Sequence, residues 1–251
     1  MHIIDMIEYN LSNLNRKEKI EMQHYFNAIN CFTDASKTNI NEVDIICAGY
    51  AVVYQNQVLD TGLKVVYDAT SMYGEELAIY MGMNALLSYA KYDTFLNLFS
   101  DSQIGIFSLR KWIFNWVNKK DTNLIKSFVK SDGEPVANQE LLTAIIGLIH
   151  STGAHTNLYH IRGHMNPNKV QDMQTFIRAF VRFNNEYMTE DMARELIYYN
   201  AVVDKATREH LFQTIESSRF NPEDYHKPLV VFNNLLNYNI LMDYKELIGR
   251  R

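Results

Sequence analysis

Cysteine is scarce in this chain: Cys31 and Cys47 are the only two among 251 residues. Two thiols in a chain of this length exclude a disulfide framework and do not make a zinc-ligand cluster with the histidines. They make a reducing compartment the default, so the expected location is cytoplasmic. Cys47 sits in the apolar, strand-like run VDIICAGYAVVY, which predicts a buried, inert thiol rather than a nucleophile. Proline and glycine are also few, four and ten, which argues against long disordered linkers. No stretch approaches the roughly 20 apolar residues of a membrane span, so no membrane association is expected. The start, MHIIDMIEYNLSNLNRKEKIEM, lacks the basic region, apolar centre and small-residue cleavage site of a signal peptide. Nor is there a basic excess: the net charge is −5, which by itself argues against a polyanionic partner.

What is present is an ordinary globular inventory, 47% apolar and 12% aromatic, enough for one large domain with or without extensions. The charge is unevenly spread. Arg110, Lys111, Lys119, Lys120, Lys126 and Lys130 are opposed within that stretch by Asp121 alone, a local net of +5. It reads either as a solvated basic face or as a phosphate track on an otherwise acidic chain.

Hydrophobic patterning gives the order of elements. Residues 28–36, 44–55 and 57–68 read as strands, the second and third separated at hairpin distance by Gln55–Gln57. Residues 75–91 read as a helix, 94–100 as a short strand, 108–120 and 138–151 as helices, and 156–163 as a strand. Two further helical patterns lie between 166 and 199, the second starting at Thr189 with Glu190 and Asp191 in its first turn, and another spans 200–215. Pro222 and Pro228 punctuate the entry to an apolar tail that reads as helical. The order β-β-β-α-β-α-α-β predicts an α/β domain with a mixed sheet: an antiparallel meander, then parallel additions through helical crossovers.

Four acidic residues stand out by context: Asp34 in CFTDAS, Glu75 in YGEELA, Asp101 in LFSDSQ and Asp204 in NAVVDKA. Asp34 and Asp101 are placed near the carboxyl ends of strands, where open α/β sheets bind ligands. Glu75 and Asp204 are placed at the starts of helices, which favour negative charge. Brought together, four carboxylates would repel and resist ionising. A hard divalent cation relieves that, because Mg²⁺ takes oxygen ligands from carboxylates and substrate phosphates. The pattern therefore points to metal-dependent phosphodiester chemistry.

In this order the motifs resemble those of the ribonuclease H family, type 1. FTDAS is similar to that family's first-strand aspartate motif. Thr70, Glu75, Ala78 and Gly82 are similar to its threonine and E-x-x-A-x-x-x-A helix, and the small residues favour Glu75 over the adjacent Glu76 as ligand. SDSQ followed by Trp112 and Trp116 is the most specific piece. EPVANQEL resembles the P-V-x-N turn, HIRGH the strand and histidine loop, and NAVVD the start of the last helix. Six weak motifs in order make a strong one.

The resemblance implies a ribonuclease H-like fold: a five-stranded mixed sheet with antiparallel first three strands, flanked by helices. It implies a catalytic domain over 28–215, interrupted by a helical insertion at about 166–199, after an N-terminal arm or helix over 1–27 and before a helical extension over 216–251. It implies hydrolysis of the RNA strand of RNA–DNA hybrids with Mg²⁺, or Mn²⁺ as the alternative, held by Asp34, Glu75, Asp101 and Asp204. His164 would assist proton transfer or product release. Thr70, Gln103, Trp112, Trp116 and Asn138 would contact substrate, with Lys119 and Lys120 as the basic handle. The insertion or the tail leaves room for a protein partner or self-association.

Blander readings stand beside these. Trp112 and Trp116 are at helical-face spacing, so packing accounts for at least one. His150, His155 and His160 read as surface loop histidines. Arg178 and Arg182, also four apart, read as a solvated face or a second phosphate contact. Rival functions are another nuclease of the same fold, such as a junction resolvase, a transposase-like strand cutter or a proofreading exonuclease, or a non-catalytic hybrid-binding scaffold. The exonuclease branch expects D-x-E where this chain has Asp34-Ala35-Ser36.

Overall fold

The computed structural model describes residues 25, 27–90, 95–117, 128–217, 220–228 and 236–249. Strands β1 (Ile29–Ile40), β2 (Val43–Tyr54) and β3 (Gln57–Tyr67) form the antiparallel meander. Both hairpins turn through two residues at positive φ, Asn41 and Glu42 at 51° and 68°, then Gln55 and Asn56 at 47° and 63°. That pattern matches the right-handed twist of the flanking strands. Helix α1 (Ser71–Leu87) leads to β4 (Leu96–Ser100). Then α2 (Gln103–Phe107) passes through a π-helical stretch, Ser108–Trp112, into α3 (Ile113–Trp116). Helix α4 (Gln139–Thr152), β5 (Thr156–His160), α5 (Val170–Asn184), α6 (Glu190–Glu216) and α7 (Tyr238–Gly249) complete the described elements. The five strands lie in the order β3-β2-β1-β4-β5, with β4 parallel to β1 and β5 parallel to β4.

The two-residue period of the central strands builds two cores. Cys31, Leu98 and Leu158 are register neighbours on one face, where α1, α4 and α7 cover them with Ile79, Met83, Leu142, Ile145 and Leu241. Phe32, Phe99 and Tyr159, one residue on, face the opposite side. Their rings stack at 5.0 Å and 5.1 Å, and the stack is closed by Tyr199 from α6 and Phe180 from α5. Each such buried side chain contributes about 1.5–3 kcal/mol.

In the segment 166–199, α5 and the first half of α6 cover the aromatic face of the sheet. Its second helix, expected to be separate from the one over 200–215, is continuous with it. Thr189 caps α6 as expected, its hydroxyl accepting from the Met192 amide, but the helix then runs 27 residues to Glu216. No glycine or proline interrupts it. The tail helix α7 spends its buried side inside the chain: Tyr244 is fully buried and its hydroxyl donates to the Leu109 carbonyl, at 2.9 Å, in the π-helical stretch.

Candidate active site

The site begins with a parting of strands. The pairing of β1 with β4 ends at Thr33–Ser100, while β1 continues against β2 as far as Ile40. Asp34 and Asp101 are the next residue on each side of that parting. Asp34 was expected near the end of the first strand; it lies inside β1, and the end that matters is that of the parallel pairing. Glu75 arrives from the second turn of α1, which Thr70 caps by accepting from the Tyr73 amide. Gly82 brings α1 close to β1: a Cβ there would meet Cys31 Sγ and Thr33 Cγ2, each at 2.8 Å. One carboxylate oxygen from each of Asp34, Glu75 and Asp101 lies within 4.8 Å of the others.

This crowding has an electrostatic signature. Burial, then the charges of Asp101 and Asp204, push the Asp34 carboxyl up to about 7. Burial, then Asp34 and Asp101, push Glu75 well above the usual carboxylate range. Asp101 is raised as well, chiefly by burial, with the His164 charge opposing and Asp204 adding to the rise. The buried Oε2 of Glu75 has no hydrogen-bond partner among the described residues. Glu76 turns away and is committed elsewhere: it is 1% exposed and accepts from Asn138 Nδ2 at 2.6 Å. The geometry thus places Glu75, not Glu76, in the cluster.

Asp204 stands at the rim, outside the three-oxygen group. It was expected in the first turns of a helix, but it occupies the middle of α6, so no helix N-terminus favours its charge there. Arg208, one turn on, takes that role, with Nη2 at 2.6 Å from each Asp204 oxygen. His164 is exposed, sits at φ 56°, and brings Nδ1 to 3.9 Å from Asp204 Oδ2. Thr207, fully buried, links the two aspartates: its hydroxyl lies 3.4 Å from Asp34 Oδ2, 2.9 Å from the Asp204 carbonyl and 2.8 Å from Ser36 Oγ.

The remaining expected residues divide. Gln103 is exposed at the start of α2, two residues after Asp101, and Trp112, 36% exposed, lies further along the same run against Phe107. Trp116 packs against the first core, with its ring 5.9 Å from that of Trp112. Thr70 is exposed and acts as a helix cap, and the Asn138 amide is engaged by Glu76. Lys119 and Lys120 lie outside the described residues.

Three supports were not foreseen. His160, read as a surface histidine, is 7% exposed at the end of β5, and its Nε2 donates to the Asp101 carbonyl at 3.2 Å. Burial lowers the pKa of that imidazole, against the opposing pull of its hydrogen bond to Asp101. Asn184, the last residue of α5, holds the His160 backbone at both ends of its amide, accepting from His160 N at 3.1 Å and donating to His160 O at 2.7 Å. Gly163 passes so close to Asp101 that any Cβ there would run into Oδ2. The glycine in HIRGH was the one visible signal among these.

The family model of RNase H matches residues 27–175, more than half of the chain, and takes in Asp34, Glu75, Asp101 and His164. No curated protein matches it. Among solved structures, the solution structure of the PFV RNase H domain is 14% identical, covers 74% of this chain and 94% of that one, and has a TM-score of 0.50. The foamy viral protease–reverse transcriptase, solved in complex with an RNA/DNA hybrid, is 12% identical over 69% of this chain, with a TM-score of 0.45. The match spans only 20% of that longer chain. The RNase H1 of Halobacterium salinarum NRC-1 is 12% identical over 61% of this chain and 93% of that one, at a TM-score of 0.37. Sheet order, the acidic cluster at the strand parting and the family match agree: the chain belongs to the ribonuclease H family of enzymes.

Proposed function

We propose that this protein is an endonuclease that hydrolyses the RNA strand of RNA–DNA hybrids, with Asp34, Glu75, Asp101 and Asp204 holding two divalent cations, Mg²⁺ or Mn²⁺. One observation carries the reading. Three carboxylates, Asp34 buried and Glu75 and Asp101 half-buried, crowd together at a strand parting, and one buried oxygen, Glu75 Oε2, has no partner among the described residues. A cluster made only of hard oxygen donors that resist ionising suits Mg²⁺ and Mn²⁺ rather than softer metals. When bound, such ions acidify water and stabilise the departing oxygen of an in-line displacement.

The chain's own groups do the rest. Asp34 and Asp101 set the spacing of the cluster because each follows directly on a paired strand residue. His160 and Gly163 fix Asp101 from its backbone and its carboxylate side. His164, exposed beside Asp204, is placed to carry a proton between the site and solvent, which suits an imidazole. Gln103 and Trp112 offer a polar contact and a stacking surface to a duplex lying across the site, and Trp116 backs Trp112. RNA is told from DNA by its 2′-hydroxyls, which an A-like duplex displays in its wide minor groove. Thr70 and Asn138 act mainly through the elements they fix.

The test is cleavage of an end-labelled RNA–DNA hybrid beside RNA–RNA and DNA–DNA duplexes and a four-way junction, with and without Mg²⁺. Metal-dependent cuts confined to the RNA strand of the hybrid are expected. Cuts in the junction or the DNA duplex would assign the protein to another nuclease branch of the fold. Hybrid binding without cleavage under Mg²⁺ or Mn²⁺ would make it a scaffold.

A further inference from the structure

Beside the acidic cluster, α2 with its π-helical continuation and the end of α5 build a shelf of aromatic rings carrying two exposed cations. Phe107 and Phe183 are 5.9 Å apart, and both pack around the buried His160 ring, at 6.2 Å and 4.7 Å. Lys111 Nζ lies 4.9 Å from the centroid of Phe107, and the Arg182 guanidinium lies 5.8 Å from that of Phe183. Both cations are exposed, and neither pairs with a carboxylate among the described residues. Trp112 stands edge-on to Phe107 at 6.1 Å and extends the shelf. The shelf is fastened to the site: Asn184 follows Phe183 directly, binds the His160 backbone, and accepts from Arg110 Nη1 at 2.9 Å. His160 in turn donates to the Asp101 carbonyl.

We propose that Lys111 and Arg182 form a second contact for the phosphodiester backbone of the duplex, separate from the acidic cluster, with Arg182 contributed by a helix end that lies beyond the residues matched by the family model. The inference rests on the reading of the cluster as a hybrid nuclease. A duplex carries a negative charge about every 1.7 Å along its axis, so a strand cut beside Asp101 must continue over the neighbouring surface. On a chain of net charge −5, a shelf with two cations that no carboxylate pairs among the described residues is complementary to it. Seating each head on a ring restrains it while leaving it hydrated, so less freedom is lost when a phosphate arrives. Arg110, by contrast, is turned inward to Asn184, and Arg178 is engaged by Gln174 Oε1 at 3.2 Å.

The test uses the full chain with Asp101→Asn, so that a labelled hybrid is bound without being cut, and follows fluorescence anisotropy from low to high salt. Adding Arg182→Ala should lower the slope of log affinity against log salt by about 0.9, and Lys111→Ala by a similar amount. Affinity should fall severalfold at low salt and converge with the parent at high salt. Arg178→Ala, on the same helix, should leave the slope unchanged. Unchanged slopes with Arg182→Ala and Lys111→Ala would overturn the shelf as a phosphate contact. An equal drop with Arg178→Ala would also overturn it, because the effect would then be one of general charge. Failure of the parent to bind hybrid at any salt would instead remove the hybrid-nuclease reading on which the shelf depends.

Discussion

Removing one carboxylate from the cluster should make the metal-free protein more stable while destroying its chemistry. Asp34 is 6% exposed, and its carboxyl is raised from 3.8 to about 7 by burial and by Asp101 and Asp204. A carboxyl with a raised folded-state pKa penalises folding as pH climbs from its unfolded value toward its folded one, and the whole penalty applies above that. Three units correspond to a ceiling of about 4 kcal/mol at pH 8. Asn is isosteric, uncharged, and can keep the contact with the Thr207 hydroxyl. Asp34→Asn also relieves Glu75, whose carboxyl the Asp34 charge pushes up. Set against the loss of hydrogen bonds that favour the charged form, a net gain of about 2 kcal/mol is expected at pH 8. That is roughly 4–8 °C in Tm for a chain of this size. Thermal unfolding in EDTA, followed by circular dichroism, reads it directly. The gain should vanish as pH falls to about 3, below the unfolded value of 3.8, where the carboxyl is protonated in both states, and Mg²⁺ should stabilise the parent more than the variant. A variant no more stable than the parent at pH 8, or a gain that persists undiminished at about pH 3, would refute the repulsion argument.

Further outcomes follow from single contacts. Gly163→Ala should cut hybrid cleavage at least tenfold with little change in unfolding midpoint, because the new methyl displaces Asp101 Oδ2 rather than core; steady-state kinetics beside a melting curve decides it. Asn184→Ala leaves the His160 backbone without either amide partner, so it should destabilise by about 1–3 kcal/mol and raise hydrogen exchange at Asp101 and Ser102. Unchanged exchange there would remove α5 from the support of the site. Arg208→Ala frees Asp204 from a competing cation and should lower the Mg²⁺ concentration for half-maximal activity severalfold; a metal titration that rises instead would mean Arg208 positions Asp204 rather than competing for it.

Much of this was readable from the residues, and the failures have physical causes. The second hairpin was legible because Gln55–Gln57 lie between two apolar runs of strand length, whereas the first strand, which reads as ending at residue 36, runs on to Ile40 because its later residues alternate exposed with half-buried. The pairing of Asp34 with Asp101 was legible because each follows an apolar strand segment. Asp204 was misplaced because NAVVD looks like a helix start, although the absence of glycine and proline from Glu190 to Glu216 already signalled one long helix. From sequence alone His160 reads as a surface group, because its polarity says nothing of its neighbours. Its burial depends on Phe183 and Asn184, 23 and 24 residues further on, and no local pattern reports such a contact. The π-helical stretch between Ser108 and Trp112 likewise depends on tertiary partners such as Tyr244, which reaches the Leu109 carbonyl from the far end of the chain.

The central claim is that the carboxylates at the strand parting are the seat of hybrid cleavage. The most direct measurement compares the parent with Asp101→Asn on the same end-labelled RNA–DNA hybrid under Mg²⁺, with hybrid binding and the circular dichroism spectrum recorded for both. The account predicts that RNA-strand cleavage is abolished while folding and hybrid binding are retained. Full cleavage by Asp101→Asn would contradict it and move the chemistry away from this cluster.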